Sequence, residues 1–173
     1  MKYKLIKGMF PEYLEEKSIQ VNEDKIIIYL FSKRKSCNCP FCNTSSSTVA
    51  TYFTRKMQDL NIIDKPLFLV IRLAKYRCEN PDCNAKVFSE RIEELAGTKE
   101  RRTKRLNEML TKFSLTQSAE AAARRCSDIN IKVSGDTLLR LSKKWEPSID
   151  EDSIYSIGID DFAFKKNIIT ERL

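Results

Sequence analysis

Histidine is absent from all 173 residues, and this absence closes more options than any other feature of the composition. Any metal site of mixed cysteine and histidine ligands is excluded. Glycine and proline are scarce, at four and five, charged residues make up 32%, and no internal repeat is found, so collagenous, low-complexity and linker-like chains are set aside. Long apolar runs are missing as well. "IIIYLF" and "PLFLVI" fall far short of the roughly 20 residues that cross a bilayer. No secretory signal opens the chain, because "MKYKLIKGMFPEYLEE" turns acidic where an apolar stretch belongs. A cytoplasmic protein with no membrane partner is the expectation. What is present is a 42% hydrophobic share, enough for one ordinary domain or two to three small ones with real cores.

In a reducing compartment six cysteines are a poor disulfide framework and a better set of metal ligands. Two short spacings stand out, Cys39-x2-Cys42 in "CNCPFCN" and Cys78-x4-Cys83 in "YRCENPDCN". A tight turn carrying two cysteines presents both sulfurs on one side, and four thiolates make a closed tetrahedral site for structural Zn2+. Pro40 and Pro81 suit such turns. The stretch between the pairs is rich in strand formers, which fits a ribbon with each cysteine turn capping a hairpin. Four buried thiols without metal are the plainer alternative. Cys37 is expected to stay a free thiol and Cys126 to lie in a helical core. A four-cysteine set leaves no open position, so the metal would serve folding and not catalysis.

Charge is distributed unevenly. Between Gly97 and Trp145 there are twelve Lys or Arg against five Asp or Glu, while the other positions balance at nineteen each. The net +7 therefore belongs to one segment, as in a polyanion-binding module, although a basic run equally describes a solvated helix face. The pattern divides the chain into a strand-rich metal-binding module over 1–96, a helix-turn-helix module over 97–146, and a linker with a closing strand over 147–173. Within the first, "KSIQVNEDKIIIYLF" reads as a hairpin turning at "NED".

Helical periodicity fills the basic segment. Leu106, Met109, Leu110 and Phe113 form one apolar face, and Ala119, Ala122, Ala123 and Cys126 form a second. A third helix is expected in "SGDTLLRLSKKW", capped by Ser134, with Leu138, Leu141 and Trp145 inward. Arg140, Lys143 and Lys144 lie on another side, and Thr137 sits in the first turn. This is the layout of a recognition helix, whose early side chains meet base edges while its basic ones meet phosphates. Arg101, Arg102, Lys104, Arg105, Arg124 and Arg125 add positive charge nearby. A plain three-helix bundle is the alternative, and the connection before Ser134 is longer than the usual tight turn.

Taken in order, "CPFC", "KYRCENPDCNAKVFSERI", "TKRLNEMLTKFSLTQSAEAAARR", "VSGDTLLRL" and "SIGIDDFAFKK" resemble the amino-terminal part of transposases of the ISL-three family of bacterial insertion sequences. The resemblance implies an α+β protein with three parts: a zinc-ribbon-like module, a helix-turn-helix that binds terminal inverted repeats, and the start of an RNase H-like domain. It places zinc on Cys39, Cys42, Cys78 and Cys83. Asp160 matches the first of three acidic residues that hold two divalent ions such as Mg2+ in full-length relatives. With only twelve residues after Asp161, the expectation is a truncated transposase that binds DNA without joining strands, as a homodimer or beside an intact transposase. Two other readings stay open. One is a fragment that is active when its catalytic domain is supplied. The other is a zinc-ribbon interaction module for RNA or acidic protein.

Overall fold

The computed structural model describes residues 8–146. They form an α+β arrangement in which a mixed sheet is followed by three short helices. The strands are β1 (Leu14–Val21), β2 (Ile26–Ser32), β3 (Cys37–Asn38), β4 (Ser45–Ser46), β5 (Val49–Ile62), β6 (Lys65–Arg77) and β7 (Val87–Ser89). The helices are α1 (Lys104–Thr116), α2 (Ala119–Asp128) and α3 (Gly135–Ser142).

The main sheet runs in the order β1-β2-β6-β5, with β7 also paired to β6. β1 and β2 make an antiparallel hairpin, closed where the Asn22 amide donates to the Lys25 carbonyl at 2.9 Å. β5 and β6 make a second, longer one, whose two-residue tip holds Ile63 at a φ of 58°. The two hairpins are joined by a parallel pairing of β2 with β6, from Ile26 opposite Leu67 to Phe31 opposite Arg72.

Alternation along β6 explains where the core sits. Leu67, Leu69, Ile71 and Leu73 are at most 1% exposed, and they meet Ile28, Leu30, Met57, Ile92 and Leu95 on one side of the sheet. Burial of each such side chain stabilises the fold by about 1.5–3 kcal/mol. A second core lies within the helices, built on Leu106, Leu110, Ala122, Cys126, Ile131 and Leu138. Both apolar helix faces read from the sequence point into it. Trp145 does not: α3 ends at Ser142, and the indole is 49% exposed.

Sheet and helices are fastened by one buried acid. Asp59, in the core-facing phase of β5, accepts hydrogen bonds from the Thr103 hydroxyl at 2.7 Å, Arg105 Nε at 2.7 Å and the Leu60 amide at 2.8 Å, and also pairs with Arg105 Nη2. Thr103 is in turn the N-cap of α1. A carboxylate at this helix end also meets the positive end of the helix dipole. Beside it, the Gln58 amide donates to the Arg101 carbonyl and the Thr103 amide to the Gln58 carbonyl, while Leu60 packs into the helical core.

Candidate metal centre and candidate nucleic-acid interface

The two cysteine turns are each bracketed by strands. β3 and β4 flank the first, where the Cys39 amide donates to the Thr44 carbonyl at 2.9 Å and the Asn43 amide to the Cys39 carbonyl at 2.8 Å. Asn43 takes a φ of 58°, a left-handed position that asparagine tolerates well. The second turn lies between β6 and β7. There the Cys78 amide donates to the Lys86 carbonyl, and Asn80 Oδ1 accepts from the Asp82 amide.

Pairing of β5 with β6, extended by the Arg77 amide donating to the Thr48 carbonyl at 2.9 Å, brings the two turns together. Cys39, Cys42, Cys78 and Cys83 present four sulfurs within 4.8 Å of one another. Cys39 and Cys83 are 3.9 Å apart at sulfur, and Cys42 and Cys78 are 3.5 Å apart. A metal about 2.3 Å from each of four tetrahedral thiolates would hold them about 3.8 Å apart, so the group could hold an ion at its centre. Among the described residues it is the one cluster of three or more cysteine or acidic ligands.

The electrostatics favour a shared cation. Hydrogen bonding by Thr44, whose Oγ1 lies 3.4 Å from Cys42 Sγ, draws that thiol down to about 6. A backbone hydrogen bond from Asn80 favours a thiolate at Cys78, but burial and the neighbouring sulfurs prevail and push it up to about 12. Four adjacent thiols cannot all ionise against one another unless a positive ion neutralises them.

Cys37 stands apart on β3, outside the sulfur group, with burial pushing its thiol up. Behind it lies Glu90, a buried acid that sequence reasoning missed. Its carboxylate accepts from the Ala74 amide at 3.1 Å and from the Ser32 hydroxyl, with Arg34 Nη1 at 3.9 Å. Glu90 thus ties β2, β6 and the segment after β7 together next to the cysteine turns.

The basic residues expected to meet DNA fall into two groups. Arg101, Lys104, Arg124, Arg125, Arg140, Lys143 and Lys144 are exposed. Arg105 is committed to Asp59, and Arg102 is half-buried with its pKa lowered by burial. Ser134 caps α3, accepting from the Thr137 amide at 3.3 Å, and the two hydroxyls are 3.0 Å apart. Both are therefore occupied at the helix start. Leu139, which the sequence reading passed over, is 49% exposed beside Arg140. α3 packs on both α1 and α2, and six residues connect it to α2. Asn130, at a φ of 60°, turns that connection, and its side-chain amide donates to the Asp64 carbonyl at 3.0 Å. Asp160 lies outside the described residues.

No helix among the described residues is long and apolar enough to cross a membrane. No family model matches the chain, and neither curated proteins nor solved structures supply a match.

Proposed function

We propose that this chain is a duplex-DNA-binding protein of the transposase type, with its helical unit as the reader and one structural zinc ion in the four-cysteine group. One observation carries the reading. α3 anchors Leu138 in the helical core and turns Arg140 to solvent, with Lys143 and Lys144 exposed just past its end, within the one segment that holds the whole excess of positive charge. Exposed Lys104, Arg124 and Arg125 on the neighbouring helices extend that field. The likeness in motif order to ISL-three transposases supports terminal inverted repeats as the target.

Zinc suits the cysteine group because a four-thiolate cage is closed and tetrahedral, leaving no position for a reactive water. Cys39, Cys42, Cys78 and Cys83 would hold it. Its contribution is to fix the two turns against β6 and β7.

Fluorescence anisotropy on a duplex library, followed by sequencing of the bound fraction, tests the reading. Affinity is expected to fall steeply with salt, by about 0.9 in logarithmic slope for each phosphate contacted. Lys143→Ala and Lys144→Ala weaken binding to every duplex, whereas Arg140→Ala also relaxes the selected sequence. Binding that is indifferent to salt and to all three substitutions overturns the assignment of α3 as reader.

A further inference from the structure

The sheet has two faces, and the described residues cover only one of them. Strand register identifies the members of the other. Tyr52, Thr54, Lys56 and Gln58 of β5 lie opposite Ala74, Arg72, Val70 and Phe68 of β6, and parallel pairing sets Phe68, Val70 and Arg72 beside Ile27, Tyr29 and Phe31 of β2. At the β7 end this side is closed by Tyr76, Phe88 and the cysteine turns. Over the rest, neither Tyr29, Phe31 and Phe68 nor Ile27 and Val70 belong to any of the three apolar clusters. The one helix with a substantial seat on a strand is α1, on β5.

A solvent-facing sheet normally alternates to polar side chains on its open side. Here it carries four aromatic rings, of which Tyr52 is 55% exposed. Two exposed cations stand among them, Lys56 and Arg72, and the Arg72 guanidinium lies 4.2 Å above the Tyr52 ring. Glu15, the acid opposite Phe31, is paired with Lys33 at 3.7 Å, so the face offers positive charge without an unpaired acid in its strand registers. Flat rings beside cations match a polyanion whose own rings are available for stacking. In a duplex the bases already stack on one another, whereas an unpaired strand can splay them onto side chains.

We infer that this open face of β2, β6 and β5 binds single-stranded nucleic acid, its bases stacked on Tyr29, Phe31, Tyr52 and Phe68 and its phosphates met by Lys56 and Arg72. The surface is separate from α3, and the inference stands independently of duplex reading.

The test uses the metal-loaded full chain with a labelled twelve-nucleotide oligo-dT, its RNA counterpart oligo-U, and a duplex of the same length. Binding of the single strands is expected, with unlabelled duplex a poor competitor. Tyr52→Ala, and Lys56→Gln combined with Arg72→Gln, alter exposed positions that spare the core. Tyr52→Ala is expected to weaken single-strand binding about 5- to 150-fold, the range for loss of one stacked base, the paired cation variant to weaken it and flatten its salt dependence, and both to leave duplex affinity unchanged. Lys143→Ala with Lys144→Ala is expected to do the reverse, so failure of either reading is visible without the other. The inference is overturned by single-strand affinity that these face variants leave intact, or by no single-strand binding at low salt. It is equally overturned if sedimentation shows a dimer that Tyr52→Ala dissociates, which would make the face a contact between copies.

Discussion

Asp59 decides more than its side chain's size suggests. Its carboxylate is 0% exposed and serves Thr103, Arg105 and the Leu60 amide together. Removing it leaves a hydroxyl and an amide without partners and a guanidinium, itself 35% exposed, without its anion. Asp59→Ala is therefore expected to cost about 3 kcal/mol, toward the lower end for a broken buried pair because Arg105 reaches solvent. Urea unfolding reads this as a lower midpoint with an unchanged slope. A loss below 0.5 kcal/mol, the ordinary scatter for a surface change, would mean that the network does not fasten α1 to the sheet. The sequence held a trace of this residue: in "KMQDLN" the acid shares the strand phase of buried Met57. A lone acid in phase does not announce its partner, and Arg105, some 46 residues away, read instead as part of the basic field. Trp145 failed in the opposite way, because helical spacing places it inward only if α3 continues past Ser142.

At the scale of elements, the cysteine turns were legible because short spacings are local chemistry, and the same holds for the capped start of α3 at Ser134. Cys39→Ser and Cys83→Ser are each expected to lose the bound metal, measured by elemental analysis of the purified protein, and to lower the melting temperature. Cys37→Ser is expected to retain one metal ion per chain, since Cys37 lies outside the sulfur group. Retention of metal by the Cys83 variant would show that the four sulfurs are not its cage. The hairpin of β1 and β2 was legible, but which side of it is covered was not: "IIIYLF" is apolar at every position, yet only Ile26, Ile28 and Leu30 are buried. Periodicity reports which residues alternate, not whether a second layer exists to cover them.

For the whole molecule, the least legible feature was the pairing of distant segments. A hairpin follows from adjacent strands and a turn, but nothing local in "IIIYLF" or "PLFLVI" says that they lie parallel and side by side. That contact has a kinetic consequence. Phe31 and Arg72 are neighbours in space although 41 residues separate them along the chain. With the sulfurs bridged by an ion, the route between them shortens to the eight residues from Phe31 to Cys39 and the six from Cys78 back to Arg72. The entropy of closing a loop grows with the logarithm of its length, so a threefold shortening lowers the barrier by about 1 kcal/mol. Docking of the two hairpins should then be about fivefold faster in metal-loaded than in metal-stripped protein. Stopped-flow refolding followed by far-ultraviolet circular dichroism measures that ratio, and equal rates would mean that the hairpins dock before the ion closes its cage.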